Sequence, residues 1–155
     1  MQPKPMSRVL FIALLLSAAV SGAKPWQGIH PGVSSALDVY GKFGEPTSKT
    51  EMKGQLVLVY SGLQAIPGTV QAQFKLKAGT QTVTRVDVYP APVLDKEAIE
   101  KSYGSRCEGQ TPTEPCYFVK EVSGKRPYFL FLKLGLAVFF KDDGTVQSFA
   151  FLPGK

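Results

Sequence analysis

Apolar and polar residues alternate along residues 70–77 (VQAQFKLK), which is the pattern of a β-strand with one buried and one wet face. The inward set is Val70, Ala72, Phe74 and Leu76, and the outward set is Gln71, Gln73, Lys75 and Lys77. Further strand-like runs occur at residues 55–61, 82–89, 127–132, 136–141 and 145–151. Glycine-containing turns separate several of these runs, which indicates antiparallel hairpins.

The strand-like runs of the second half lack this alternation and are apolar at consecutive positions. If residues 133–135 (KLG) form a three-residue turn, the flanking strands pair so that one face collects only apolar side chains. The predicted pairs are Leu132 with Leu136, Leu130 with Val138, and Tyr128 with Phe140. The opposite face then carries Phe129, Phe131, Phe139 and Phe149, which we expect to form the core.

An apolar face of this size is larger than a monomer normally leaves exposed to water. We therefore predict a partner-binding surface, and its residues are Tyr128, Leu130, Leu132, Leu136, Val138 and Phe140. Two alternatives remain open at this point. The face is buried by the protein's own other half or a loop, or it is the contact of a homodimer.

A short helix is predicted just before the first strands. Ser35 and Asp38 fit a capping box at its start, Gly44 fits a left-handed stop, and Pro46 prevents the helix from resuming. A helix of little more than two turns is not stable alone. We expect it to dock on the sheet.

The same arrangement recurs in residues 95–104 (DKEAIEKSYG), where Asp95 takes the position of Ser35 and Gly104 takes that of Gly44. The strand-like runs that follow each helix also correspond, since TQTVTRVDVYP resembles GTVQSFAFLP. Recurrence in a fixed order is typical of a tandem duplication.

The predicted fold class is therefore α+β, with two tandem repeats that each contain a short helix and about three antiparallel strands. The expected organisation is a signal peptide at residues 1–23, a first helix-sheet repeat at residues 24–90 and a second at residues 91–155. Neither repeat contains enough strands to be stable separately.

The N-terminus has the three-part order of a secretory signal peptide. A basic start is followed by an apolar run at residues 9–20 and by Ser21, Gly22 and Ala23. The apolar run is short for a membrane span, although an uncleaved anchor is the alternative. Cleavage after Ala23 would leave Lys24 at the start of a periplasmic or secreted protein without a stable membrane anchor.

Cys107 and Cys116 are the two cysteines of the chain. An even pair in an exported protein usually forms a disulfide, and two free thiols are the alternative. Two cysteines supply too few ligands for a metal site.

The formal net charge of +6 comes from lysines and arginines that are scattered rather than clustered, so we do not expect nucleic-acid binding. His30 is the only histidine, which leaves no partners for a metal cluster or a Ser/Cys-His-acid triad. We therefore expect no enzymatic activity, cofactor or metal. The alternative is a small periplasmic enzyme with its site near His30.

The string S-x-x-D-V-x-x-x-F-G-x-P at residues 35–46 resembles the small fold of the SmpA/OmlA-type outer-membrane assembly lipoproteins. Two copies in one secreted chain, with a cysteine pair after a helix, are similar to the tandem layout of the beta-lactamase inhibitory proteins. The chain departs from the lipoproteins because Lys24, not cysteine, follows the expected cleavage site. The resemblance implies a module that binds another envelope or extracellular protein, and in its narrower form an inhibitor of a secreted hydrolase.

Overall fold

The computed structural model describes residues 23–109 and 114–154, so the expected signal peptide up to residue 22 lies outside the described residues. The elements are α1 Ala36–Phe43, β1 Ser48–Met52, β2 Gln55–Ser61, β3 Thr69–Lys77, β4 Val83–Pro90, α2 Lys96–Tyr103, β5 Phe118–Lys120, β6 Tyr128–Phe131, β7 Leu136–Phe140 and β8 Val146–Phe151. Short 3₁₀ turns lie at Gly62–Gln64 and Leu132–Leu134.

The strands form a single antiparallel sheet of eight strands in the order β1-β2-β3-β4-β8-β7-β6-β5. The predicted α+β class is thus confirmed. The two edge strands, β1 and β5, were not predicted. All five residues of β1 are exposed and β5 has three residues, so neither strand carries the alternation that marks a half-buried strand.

The capping box predicted for α1 is confirmed. The Ser35 backbone N–H donates to Asp38 Oδ2 at 2.7 Å, and the Asp38 N–H donates to Ser35 Oγ at 3.4 Å. The bonds from the Ser35 backbone and hydroxyl stabilise the charged carboxylate and lower the pKa of Asp38. The helix ends at Gly44 with φ 75° and ψ −157°, so its φ is positive as expected while its ψ is extended rather than left-handed helical.

The second helix begins and ends at the predicted residues. The Ala98 N–H donates to Asp95 Oδ1 at 2.8 Å, and Gly104 follows the last turn with φ 117° and ψ 161°. Gly104 also lies against the backbone of Pro115, whose carbonyl oxygen occupies the space that a side chain would need. A residue other than glycine would therefore disturb both the helix end and the segment that it contacts.

Both helices pack on one face of the sheet, which we call the helix-covered face. Phe43 of α1 stacks on Phe74 at 5.5 Å between ring centroids, and Tyr103 of α2 contacts Phe131 at 5.9 Å. Trp26 also lies here, 5.9 Å from the ring of Phe74. The hydrophobic core therefore lies between the helices and this face. The other side of the sheet, which carries neither helix, is called the open face.

The register predicted for β6 and β7 is wrong by one residue. Phe131 pairs with Leu136, and Phe129 pairs with Val138. The connection contains four residues, because Leu132–Leu134 form a 3₁₀ turn and Gly135 follows in the left-handed conformation. A shift of one residue moves every side chain of a strand to the other face of the sheet.

Cys107 and Cys116 form the predicted disulfide, with their Cα atoms 4.9 Å apart. Disulfides persist mainly in oxidising compartments, and the bond therefore favours an extracytoplasmic location. Within residues 23–109 and 114–154, neither helix has the length or apolar character needed to cross a membrane.

Candidate functional site

The corrected register divides the six predicted partner-binding residues between different environments. Leu136 and Val138 are fully buried on the helix-covered face. Phe140 lies on the same face, where its ring contacts that of Phe129 at 4.7 Å. For these three residues the structure supports the alternative of burial by the protein's own chain, because they pack in or against the core.

The other three predicted residues are more accessible. Tyr128 and Leu130 lie on the open face and are half-buried, whereas Leu132 belongs to the 3₁₀ turn and is 50% exposed. The open face also receives Phe139, which had been predicted for the core. Its ring stacks on Tyr128 with centroids 5.0 Å apart and planes 29° apart.

We call the apolar part of the open face the aromatic end, and it comprises Phe118, Tyr128, Leu130 and Phe139. Phe118 lies directly opposite Leu130 in the pairing of β5 with β6. All four side chains are half-buried. Half-buried aromatic side chains of this kind have area left for contact with another molecule.

A cluster of charged residues lies beside the aromatic end, on β3 and β4. The carboxylate of Asp87 accepts from Arg85 Nε at 2.8 Å, and Arg85 Nη2 lies 2.7 Å from the same oxygen. Its second oxygen lies 2.8 Å from Lys75 Nζ, outside hydrogen-bonding geometry, so that contact is an ion pair. Asp87 is buried, and this charge is stabilised because two cations flank it.

Arg85 connects the charged cluster to the aromatic end. Its guanidinium lies 6.0 Å from the ring of Phe139, although β8 separates β4 from β7 in the sheet. The side chain can cross β8 because the open-face residues there, Ser148 and Ala150, are small. Both are buried. The result is one surface on which a cation, an ion pair and stacked aromatic rings are contiguous.

A groove of about 600 Å³ adjoins the aromatic end, between the β5–β6 connection and β7. Its lining includes Tyr128, Phe139, Gln147 and Arg126. Arg126 Nε donates to Asp142 Oδ1 at 2.6 Å, and its Nη1 donates to the carbonyl of Phe140 at 3.1 Å. These bonds hold the wall of the groove against the β7–β8 turn.

A second groove, of about 730 Å³, lies at the opposite end of β6 and β7. Its apolar lining includes Leu130, Leu132, Leu134 and Leu152, and Ala23 also lines it. The chain enters the fold here, since the Lys24 N–H donates to the carbonyl of Leu134 at 2.8 Å.

His30 lies in an exposed loop, where its backbone N–H donates to Ser34 Oγ at 2.8 Å. The residue does not line either of these grooves. Among the described residues, no group of three or more histidine, cysteine or acidic side chains is placed to hold a metal ion.

Sequence reasoning missed Phe139 and the charged cluster. Arg85 and Asp87 are two residues apart in β4, and this spacing placed them on one face of the strand. The sequence alone therefore predicts that Arg85 and Asp87 lie close together. It does not predict the contact with Lys75, because that contact depends on the register between β3 and β4.

No known protein family matches the chain, and neither does any curated protein. Among solved structures, a DUF4309 family protein (YjgB) from Bacillus subtilis subsp. subtilis str. 168 is 15% identical, with a TM-score of 0.53 over 83% of this chain and 84% of that chain. A cysteine-rich secretory protein (SAV1118) from Staphylococcus aureus subsp. aureus Mu50 is 13% identical, with a TM-score of 0.42 over 77% of this chain and 43% of that chain. The likeness to YjgB is one of fold alone.

Proposed function

We propose that this chain is an exported protein-binding module that acts in the cell envelope or outside the cell, and that it binds its partner through the open face. The observation that carries the proposal is the stacked pair Tyr128 and Phe139 on the face that neither helix covers. The rings adjoin a groove and the guanidinium of Arg85. Aromatic and arginine side chains in such settings are enriched among the residues that dominate protein interfaces.

Two features support export. The N-terminal sequence has the order of a signal peptide. The disulfide between Cys107 and Cys116 is the kind of bond that persists in oxidising compartments. The expected location is therefore the periplasm or the extracellular medium.

We further propose that the fold arose from two repeats. Each helix precedes four strands, and the order of the sheet keeps β1–β4 together on one side and β5–β8 together on the other. The two helices share their capping positions, Ser35 with Asp95 and Gly44 with Gly104. The narrower role of a hydrolase inhibitor is supported by the resemblance in tandem layout.

The test is affinity capture from envelope and secreted extracts with the immobilised mature protein and two variants. Phe139→Glu places a charge in the aromatic end, whereas Leu37→Glu makes the same kind of change on the exposed side of α1, where Leu37 is 78% exposed. We expect the wild type and Leu37→Glu to retain the same protein and Phe139→Glu to lose it. Equal retention by both variants would rule out the open face as the binding surface.

The same variants distinguish a partner protein from a second copy of the chain. Sedimentation of the purified protein over a range of concentrations measures self-association. A dimer that Phe139→Glu dissociates would replace the foreign partner with a homodimer contact. Thermal melting of both variants is measured alongside, and melting temperatures equal to that of the wild type show that a loss of binding does not come from unfolding.

A further inference from the structure

Charge is distributed unevenly between the two faces of the sheet. Of the strand residues that the structure describes, those facing this side include four cations and one carboxylate, namely Lys75, Lys77, Arg85, Lys120 and Asp87. Their net charge is +3. By contrast, the strand positions of the helix-covered face carry Lys49 and Glu51, whose charges cancel. The positive charge of the sheet is therefore concentrated on the face that we propose to bind a partner.

The one carboxylate on this face does not neutralise its neighbours. Asp87 is shared by Lys75 and Arg85, so this cluster retains one positive charge. The side chains of Lys75 and Arg85 are 27% and 37% exposed. A guanidinium has five N–H donors in a planar fork, and Asp87 is approached by two of its nitrogens. Arg85 keeps donors for a second carboxylate.

The remaining donors of Arg85 lie beside an apolar surface. Its guanidinium is 6.0 Å from the ring of Phe139, which stacks on Tyr128 beside the groove of about 600 Å³. A partner that pairs with Arg85 thus has a place for a large apolar side chain within the same contact. Pockets that receive such a side chain are where binding energy is usually concentrated.

We propose that the open face binds an acidic segment of a partner protein that carries an aromatic or large aliphatic side chain. Carboxylates of that segment contact Arg85, Lys75 and Lys120, and the apolar side chain contacts Tyr128 and Phe139. This inference rests on the proposed function, because it specifies the chemistry of the partner for the same surface. Charge complementarity of this kind increases association rates and specificity, and both effects decrease as salt is raised.

The probe for this proposal is a fluorescent peptide in which glutamates flank a single phenylalanine. Two matched peptides replace either the glutamates with glutamine or the phenylalanine with alanine. We expect anisotropy to show binding of the first peptide, with at least about tenfold weaker binding of each matched peptide. Raising the salt concentration should weaken the binding of the first peptide more than the binding of the glutamine peptide. Equal binding of the glutamine peptide would overturn the proposal.

Protein variants test the same contact from the other side. Arg85→Gln and Lys120→Gln should each weaken binding of the glutamate peptide by about tenfold. Lys120→Gln matters because Lys120 does not contact Asp87, so the folding of this variant should not change. Lys101→Gln on the exposed side of α2 is the matched control. A loss in the control as large as that in the open-face variants would overturn the proposal.

Other polyanions define the remaining outcomes. Binding of a single-stranded oligothymidine or of vesicles rich in anionic lipid as tightly as the glutamate-phenylalanine peptide would assign the charge to a different class of ligand and overturn the inference. A captured partner that depends on Phe139 but not on salt or Arg85 would also overturn it while leaving the proposed function standing. Capture that does not depend on Phe139 would remove the proposed function itself.

Discussion

Phe139 and Phe140 are consecutive residues of β7, and their side chains lie on opposite faces of the sheet. Phe139 stacks on Tyr128 on the open face, whereas Phe140 contacts Phe129 on the helix-covered face. Phe129 in turn stacks on the fully buried Tyr117. The two neighbouring phenylalanines therefore have different environments, since Phe139 lies at the surface and Phe140 packs against the core.

We predict that Phe139→Ala keeps a melting temperature near that of the wild type and weakens partner binding by about 2 kcal/mol or more, as expected for an aromatic anchor. Phe140→Ala should instead lower the free energy of unfolding by about 2–3 kcal/mol, because it removes a partly buried ring from the core edge. Thermal melting and a binding titration measure the two effects. If Phe139→Ala melts as early as Phe140→Ala, the open face is part of the folding core rather than a binding surface.

The two glycines that end the helices allow a matched comparison of stability. Gly44 and Gly104 both have positive φ with extended ψ, a region used almost only by glycine. A Cβ at Gly44 would meet nothing within 4 Å, whereas one at Gly104 would overlap the carbonyl of Pro115. We expect Gly44→Ala to cost about 1–3 kcal/mol from backbone conformation alone.

Gly104→Ala should cost clearly more than Gly44→Ala, because the backbone around Pro115 must also move. Urea unfolding of both variants measures the difference. Equal losses of stability would mean that the segment after α2 adjusts without cost, contrary to its close contact with Gly104.

The disulfide should stabilise one loop more than the whole fold. The Cys107 N–H donates to the Tyr117 carbonyl, and the Tyr117 N–H donates to the Ser105 carbonyl, so backbone bonds hold the same region. Closing the loop contributes about 2–3 kcal/mol by the chain-entropy model. We expect reduction to lower the urea midpoint without unfolding the protein and to make the loop between the cysteines sensitive to proteolysis.

Cys107→Ser combined with Cys116→Ser is the control for this prediction. It should reproduce the reduced wild type and should not respond to reductant. Alkylation of both thiols in the native protein without prior reduction would show that the disulfide is absent.

The sequence predicted most of the half-buried strands and both helix caps, because these depend on local patterns. The alternation in β3 correctly placed Ala72, Phe74 and Leu76 in the core. Val70 was misplaced: it is exposed, and the pairing of β3 with β4 is irregular on either side of it. A register shift of this kind depends on the partner strand and cannot be recognised from alternation within one strand.

The candidate surface could not be predicted for a related reason. Both faces of β6 and β7 are apolar, so a pairing through a three-residue or a four-residue connection satisfies the hydrophobic pattern equally well. Gly135 decides between them in the structure, where its left-handed conformation closes the turn against the carbonyl of Leu152. That contact joins the β6–β7 connection to the end of β8, and the sequence of the turn alone does not predict it.

The mature protein is predicted to begin at Lys24 or within a few residues of it, as the order of the N-terminal sequence indicates. Ala23 is buried beside Gly135, and the Lys24 N–H donates to Leu134. A peptidase therefore has to cut before this segment docks. Intact-mass measurement of the exported protein tests the prediction, and a mass that includes the apolar run at residues 9–20 would contradict it.

Alkaline pH should destabilise the fold through two buried tyrosines. The Tyr60 hydroxyl donates to the Gly44 carbonyl at 2.8 Å, and the Tyr117 hydroxyl donates to Glu100 Oε1 at 2.6 Å. Burial, the largest cause, raises the pKa of Tyr60 to about 12, and burial together with the hydrogen bond to Glu100 and its charge raises the pKa of Tyr117 to about 12.

A folded-state pKa above the unfolded value of about 10 means that folding favours the neutral phenol. This contribution to stability is fully present below pH about 10 and is lost as the pH rises through about 12. We expect Tyr60→Phe and Tyr117→Phe each to lose some stability at neutral pH, because a hydrogen bond is removed, and to show a shallower decline between pH about 10 and 12. Tyr89→Phe, on the open face, is the matched control. Urea unfolding at a series of pH values measures the slopes, and slopes that match the wild type in both core variants would show that other groups cause the alkaline transition.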